Sequence, residues 1–171
     1  MKPDCLKKTN VLFICMGNIC RSPTADAVFR HLVKIEGLEN EILVDSAGTH
    51  AYHIGNPPDK RAQKTALNRG YHMHDLRARA VEIKDFEYFD YILAMDNDNL
   101  AILQQRCPAQ HKHKIGLFMK FSSDKNHNKE VADPYYGGHQ GFEIVLDMVE
   151  EASKGLLKHI CKHKTQFQNT H

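Results

Sequence analysis

The chain has 171 residues, of which 42% are hydrophobic and 26% charged, and its formal net charge is +2 with neutral histidines. This length suits one folded domain with a full hydrophobic core. So small a net charge argues against a nucleic acid or a membrane surface as partner. No apolar run is long enough to cross a membrane or to act as an export signal. We therefore expect one cytoplasmic domain spanning 1–171, with flexible ends at 1–9 and 164–171.

The first predicted strand is VLFIC, at residues 11–15, a continuous apolar run that is typical of a strand buried on both faces of a parallel sheet. A helix follows it. Ser22 is predicted to cap this helix, Pro23 suits its first turn, and apolar residues recur at helical spacing until Gly37.

The same alternation of strand and helix continues along the chain. The further predicted elements are a strand at EILVDSAG (41–48), a helix at PPDKRAQKTALNRG (57–70), a strand at FDYILAMD (89–96) whose Asp96 caps the next helix, a weaker strand at HKIGLFM (113–119), a long polar loop (120–141) and a final amphipathic helix from Phe142. This order predicts an α/β three-layer sandwich around a parallel sheet. Ligands of such sheets bind beyond the carboxyl ends of the strands.

The segment CMGNICRS, residues 15–22, begins where the first strand ends. Gly17 and Asn18 tolerate unusual backbone angles, so the loop can turn successive N–H groups inward around an anion. The next helix adds the positive end of its dipole, and Arg21 can hold two oxygens of a phosphate. Such a field favours the thiolate form of a cysteine. We predict an oxyanion site at which Cys15 forms a cysteinyl-phosphate that water then hydrolyses.

A cysteine followed by five residues and an arginine is common by chance. The context makes it specific, because a buried strand precedes it, Gly-Asn lies inside it and Ser-Pro opens a helix after it. A nucleotide-binding P-loop fits poorly, since no Gly-Lys-Ser or Gly-Lys-Thr follows the glycine. The other interpretation is a buried cysteine in an ordinary strand–helix turn.

Asp133, in the motif ADPYYGG of the long loop, is the candidate proton donor for the leaving group. Pro134 keeps Asp133 out of helical geometry, so its carboxyl can project from the loop. Tyr135 and Tyr136 can wall the entrance and stack on an aromatic substrate. A plain turn with two surface tyrosines is the alternative.

Together, these motifs resemble those of the low molecular weight protein tyrosine phosphatases. VLFICMGNICRSPTADAVF and DPYYG are specific for that family, and DSAGT, GNPPDKRA and FDYILAMD lie between them in the expected order. The resemblance covers about residues 10–163. It implies a flavodoxin-like, four-stranded parallel sheet and a metal-independent phosphatase domain without a cofactor. It also implies phosphotyrosine proteins as substrates, with a tyrosine kinase among the candidates.

The resemblance implies a role for each site residue. Cys15 is the expected nucleophile, Arg21 binds substrate and stabilises the transition state, and Asp133 is general acid and then general base. The expected substrate contacts are Met16, Gly17, Asn18, Ile19, Cys20, Ser22, Tyr52, Tyr135 and Tyr136. A buried polar network that keeps the loop in shape is expected from Asn18, Ser22 and Ser46.

Two positions leave questions open. Leu76 stands where many members carry a histidine of the polar network, so we expect some change in loop rigidity. For Cys20 the resemblance implies a disulfide with Cys15 on oxidation, which protects the nucleophile; a small packing residue is the equal alternative. The twelve histidines are scattered without ligand spacing, so no metal site is predicted.

Three other functions share parts of this pattern. Thioredoxin-linked arsenate reduction needs two further neighbouring cysteines, whereas Cys107 and Cys161 lie far apart in the sequence. Phosphoarginine phosphatases resemble this chain but carry threonine at the position of Ile19, and an apolar residue there favours an aromatic phosphoester. An inactive phosphate-binding module would need neither Cys15 nor Asp133.

Overall fold

Four strands form one parallel sheet in the order β2-β1-β3-β4. The computed structural model describes residues 7–124, 129–135 and 137–168, with 165–168 described by their backbone alone. The strands are β1 (Thr9–Cys15), β2 (Ile42–Gly48), β3 (Tyr91–Ala94) and β4 (Ile115–Leu117). The predicted parallel sheet is confirmed.

Helices cover both faces of this sheet. They are α1 (Arg21–Ile35), α2 (Lys60–Asn68), α3 (Ile83–Tyr88), α4 (Asn97–Arg106) and α5 (His139–Gln168), with short 3₁₀ helices at Ala109–Lys114 and Phe118–Phe121. Phe13 of β1 packs with residues of α1 and α5 on one face. Leu12 and Ile14 pack with residues of α3 and α4 on the other. The result is the expected three-layer sandwich.

The sheet order places the end of β1 at a crevice. β1 pairs with β2 on one side and with β3 on the other, so the connection after β1 leads to one side, towards β2, and the connection after β3 leads to the other, towards β4. At such a switch point the loops after adjacent strands diverge and leave room for a ligand. Cys15, the last residue of β1, lies there.

The start of α1 differs from the prediction. The helix begins at Arg21, one residue before the predicted cap, and its N-cap residue Cys20 makes no side-chain capping bond. The hydroxyl of Ser22 instead lies 3.0 Å from the Cys15 sulfur. The prediction that Ser22 caps α1 is therefore wrong, because this hydroxyl has a partner inside the preceding loop.

Regular structure extends into the ends that were expected to be flexible. β1 begins at Thr9, whose backbone N–H donates to the Glu41 carbonyl at 2.9 Å. Helix α5 continues to Gln168, and Lys164 Nζ donates to the same carbonyl at 3.2 Å. Contacts with the segment before β2 thus stabilise both ends.

A buried carboxyl in α1 gives the protein a pH-dependent stability. Asp26 is 0% exposed, and burial raises the pKa of its carboxyl to about 6. Arg30 binds Oδ1 at 2.7 Å but is itself half exposed, and Oδ2 accepts no hydrogen bond from any described residue. The ion pair therefore offsets only part of the cost of burying the charge.

The stability should fall as the pH rises from 4 to 6. Within this window the folded chain keeps the Asp26 proton that the unfolded chain releases, so deprotonation favours unfolding. We expect urea unfolding of the wild type to lose about 2–3 kcal/mol over this window relative to Asp26→Asn, which does not titrate. Parallel pH profiles for the two proteins would contradict the assignment.

Candidate active site

The carboxyl end of β1 opens into a cavity of about 320 Å³. Its lining contains most of the residues predicted from the sequence and one that was not predicted, His53. The lining residues are Cys15, Met16, Gly17, Ile19, Cys20, Arg21, Tyr52, His53, Asp133 and Tyr135. Tyr136 lies outside the described residues. One concave site thus brings together segments that are more than 100 residues apart in the sequence.

The loop after β1 has a backbone that few residues allow. Asn18 adopts a φ of +57°, a left-handed conformation that asparagine tolerates better than most residues. A Cβ atom at Gly17 would lie 2.9 Å from His53 Cδ2, so only glycine fits there without displacing the imidazole. The positive φ at position 18 and the close approach at position 17 explain why the loop contains Gly-Asn.

Two polar groups lie next to the sulfur of Cys15, which is 3% exposed. The Asn18 backbone N–H donates to Sγ at 3.3 Å, and the Ser22 hydroxyl lies 3.0 Å from it. Sγ also lies just beyond the start of α1, where the helix dipole is positive. Sγ therefore lies where the loop and the start of α1 present N–H groups that suit an anion.

The side-chain amide of Asn18 is the centre of a polar network beneath the loop. Nδ2 donates to Ser22 Oγ at 2.8 Å and to Ser46 Oγ at 3.0 Å. Oδ1 accepts from the backbone N–H of Arg79 at 3.1 Å. The structure therefore brings the three predicted network residues together and adds Arg79, which the sequence analysis missed.

Leu76 takes no part in this network. Its partly buried side chain packs against an apolar cluster that includes Cys20 and Met73. The Arg79 backbone already satisfies Asn18 Oδ1, and the Arg79 guanidinium is tied to Asp45 and Asp85 at 3.0 and 2.9 Å. A leucine at position 76 is compatible with the loop because it leaves no acceptor of Asn18 unsatisfied.

Arg21 is fixed by contacts on one edge of its guanidinium. Its side chain is 3% exposed. Nη1 donates to Asp96 Oδ2 at 2.6 Å and to the Val131 carbonyl at 2.8 Å, whereas Nη2 lies 3.6 Å from Asp133 Oδ2. Both hydrogens of Nη1 are therefore used, and the edge formed by Nε and Nη2 is the one suited to hold two oxygens of an oxyanion.

Asp96 has a second role beside the predicted one. Its Oδ1 accepts from the Asn99 N–H at 2.7 Å, which confirms the predicted cap of α4. Its Oδ2 anchors Arg21. In the sequence, Asp96 comes just after β3, at the same edge of the sheet as Cys15. Its position does not reveal that it contacts Arg21, which is 75 positions away.

The anchoring role can be separated from the capping role. Asparagine caps helices as well as aspartate does, so Asp96→Asn keeps the cap and removes only the charge that faces Arg21. We expect this change to weaken binding of inorganic phosphate roughly 10- to 100-fold, the range for a charged hydrogen bond. Titration calorimetry measures it, with the exposed Asp98→Asn as control. Equal affinities in the two variants would contradict the role.

Asp133 projects from its loop towards the cavity. Oδ1 accepts from the Tyr135 N–H at 3.0 Å, and Oδ2 faces Arg21. Arg61 holds this turn from outside, because it donates to the Tyr135 carbonyl at 3.1 Å and lies over the Tyr135 ring at 5.5 Å. The carboxyl is about one-third exposed, so it can exchange protons with solvent.

Cys20 lies in the cavity wall beside Cys15, and neither cysteine forms a disulfide. Burial raises the pKa of the Cys20 thiol, and the nearby Asp59 carboxylate raises it further. The Cys20 thiol therefore stays protonated, and a protonated thiol is a poor nucleophile. Of the two sulfurs, that of Cys15 has the surroundings of a reactive group.

Within the part that the structure describes, no group of three or more His, Cys, Asp or Glu side chains is arranged to hold a metal ion. Among these same residues, no helix combines the length and the apolar character needed to cross a membrane.

Comparison with known proteins gives one family throughout. The family described as low molecular weight phosphotyrosine protein phosphatase matches residues 10–166. A phosphatase of that description from Schizosaccharomyces pombe is 43% identical over 156 residues, which are 91% of this chain and 99% of the relative. The crystal structure of an Entamoeba histolytica protein tyrosine phosphatase with Hepes in its active site superposes with a TM-score of 0.88 at 43% identity and covers 92% of this chain and 99% of that one.

A Drosophila arginine phosphatase is more distant, with a TM-score of 0.81 at 34% identity over 88% of this chain and 96% of that one. The relatives share the flavodoxin-like fold that the sheet order shows here. With a family match over most of its length and relatives above 40% identity, this chain belongs to the low molecular weight phosphotyrosine protein phosphatases.

Proposed function

We propose that this phosphatase hydrolyses phosphotyrosine in proteins at Cys15, with Arg21 and Asp133 as the other catalytic residues. The observation that carries the proposal is their convergence on one cavity with an aromatic mouth. The loop that begins at Cys15 and the start of α1 form a concave floor that suits phosphate, and Tyr52 and Tyr135 flank the entrance that an aryl group must pass.

In the first step, the Cys15 thiolate attacks phosphorus and the bond to the phenolic oxygen breaks. The leaving oxygen takes the proton of Asp133, so tyrosine departs neutral and a cysteinyl-phosphate remains. The Nε and Nη2 edge of Arg21 holds two phosphoryl oxygens as their charge redistributes.

In the second step, water attacks the cysteinyl-phosphate. Asp133, now a carboxylate, takes a proton from that water, so inorganic phosphate and the Cys15 thiolate are released and the Asp133 acid is restored. The Ser22 hydroxyl, 3.0 Å from Sγ, stabilises the departing thiolate. Each group thus returns to its starting state.

Ile19 supports an aromatic substrate over phosphoarginine. Its apolar side chain lines the cavity, where it can pack against a phenyl ring and offers no hydrogen bond to a guanidinium. A tyrosine kinase that carries phosphotyrosine is one candidate substrate protein.

Among the residues that the structure describes, no pair of further cysteines supports arsenate reduction through a thioredoxin relay. Cys107 packs in the cluster on the α3 and α4 face of the sheet, whereas Cys161 belongs to α5 on the opposite face. Two cysteines separated by the sheet cannot pass a disulfide outward from Cys15.

The direct test measures phosphate release from a phosphotyrosine peptide and a phosphoarginine peptide of the same sequence, in EDTA. We expect metal-independent turnover of the phosphotyrosine peptide and a large preference for it. A preference for phosphoarginine would transfer the assignment to that substrate class. Phosphate binding without turnover of either peptide would indicate a binding module.

Cys20 is proposed as the redox partner of Cys15. The two thiols line the same cavity, and mild peroxide would oxidise the Cys15 thiolate first. The sulfenic acid of Cys15 would then condense with Cys20 to form a disulfide and water. We expect mass analysis to show a Cys15–Cys20 bridge in the wild type and sulfinic acid at Cys15 in Cys20→Ala. Sulfinic acid in both proteins would leave Cys20 a packing residue.

A further inference from the structure

The aromatic wall of the cavity depends on a neighbour that the cavity lining does not include. Tyr52 lines the cavity but is 71% exposed, so contact with the protein body fixes little of its ring. That ring stacks on His50, with centroids 5.2 Å apart and planes only 7° apart. An offset stack of this kind favours one orientation of an otherwise solvated ring.

The imidazole of His50 contacts the neighbouring Thr49, and the backbone of both residues is hydrogen-bonded to the loop that begins at Cys15. Its Nδ1 lies 2.8 Å from Oγ1 of Thr49, a residue that is 7% exposed. The backbone N–H groups of Thr49 and His50 donate to the carbonyls of Cys15 and Met16 at 2.9 and 3.0 Å. The orientation of the imidazole is therefore set by the same loop that carries the nucleophile.

A further contact ties this segment to the other side of the sheet. Arg106, at the end of α4, donates from Nη1 to the Thr49 carbonyl at 3.3 Å. Next to Thr49, a Cβ atom at Gly48 would lie 2.7 Å from the Met16 carbonyl, so the two loops approach as closely as glycine permits. The backbone that carries His50 is thus fixed by several contacts, whereas the Tyr52 side chain is mostly exposed.

We propose that His50 is a positioning residue, which holds Tyr52 in place as a wall for the aromatic ring of the substrate. This inference rests on the proposed function, since it assigns a role to the same site. A wall that is already ordered loses less side-chain entropy when substrate binds. The benefit falls on the aryl group and not on the phosphate, because Tyr52 stands at the mouth of the cavity and the phosphate binds at its floor.

The test compares the wild type with His50→Ala, His50→Phe, Tyr52→Ala and the double variant H50A/Y52A. For a phosphotyrosine peptide, H50A should raise KM about threefold to tenfold, the range for one aromatic pair, while kcat stays within about twofold. H50F keeps a stacking ring but loses the hydrogen bond to Thr49, so its KM should lie between those of the wild type and H50A. The double variant should match Y52A, because His50 acts only through Tyr52. The inhibition constant for inorganic phosphate should be the same in all of them.

Several results would overturn the proposal: a wild-type KM in H50A or in Y52A, an H50F as impaired as H50A, or additive effects in the double variant. Weaker inhibition by phosphate in H50A would also overturn it, because that result places the damage in the phosphate loop. Failure of the proposed function has a different signature, since the wild type itself would then not hydrolyse the peptide.

Discussion

Replacing Cys15 with serine should lower kcat for a phosphotyrosine peptide about 10⁴-fold or more, since it removes the nucleophile itself. Binding of inorganic phosphate should persist, because the Arg21 guanidinium and the loop N–H groups are unchanged. Steady-state phosphate release and calorimetry measure the two quantities. Serine is close to cysteine in size, so the Ser22 and Asn18 contacts give no reason for the loop to rearrange.

The control for this change is Cys161→Ser, an exposed cysteine of α5, which should keep wild-type kcat. If C15S kept kcat within about tenfold of the wild type, far above the loss expected for a missing nucleophile, the covalent mechanism would be rejected. If instead C15S lost phosphate binding as well, the thiolate would be part of the binding site and not only the attacking group.

Removing the proton of Asp133 is expected to have the second-largest effect. Asp133→Asn should lower kcat for phosphotyrosine about 10²- to 10³-fold, as is usual for loss of a general acid. The loss should be smaller for p-nitrophenyl phosphate, because p-nitrophenolate is a stable anion that leaves with little need of a proton. The ratio of the two losses therefore reports protonation of the leaving group and not damage to the site.

Glu130→Gln is a matched control on the same segment. Glu130 Oε1 accepts from the Asn97 N–H at 2.7 Å, and glutamine keeps that acceptor, so kcat should not change. Equal losses for the two substrates in D133N would argue that Asp133 shapes the site and does not donate a proton.

The two acids beside Arg21 should affect different kinetic constants. Asp96 lies 2.6 Å from the guanidinium and Asp133 lies 3.6 Å from it, so Asp96 is the anchor. Loss of the anchor weakens the hold on phosphate and raises KM. Loss of the Asp133 proton slows the chemical steps and lowers kcat. We therefore expect Asp96, the nearer carboxylate, to support phosphate binding, and Asp133, the farther one, to protonate the leaving group.

The predicted phosphate loop and the fold class follow from local features of the sequence. A buried strand, a glycine-containing turn and a helix start follow one another within about a dozen residues, so the sequence places Cys15 and Arg21 at the two ends of one short loop. The alternation of strands and helices predicted the parallel sheet in the same local way. Asp133 was predicted to project from its loop because a following proline keeps a residue out of helical geometry.

Contacts between distant segments hold these parts in place. Asp96 reaches Arg21 across 75 positions, and Arg79 supports Asn18 across 61. From the sequence, Asp96 was predicted only as a helix cap and Arg79 was not singled out, because a side chain's residue type does not show which distant residue it will contact.

The prediction for Ser22 was wrong for the same reason. A serine before a proline is a good helix cap by every local criterion, yet its hydroxyl turns to the Cys15 sulfur. His50 and Tyr52 likewise became a stacked pair only when the loop after β2 folded against the loop after β1. Local propensity settles which elements form, whereas the packing of parallel strands settles which side chains meet at their ends.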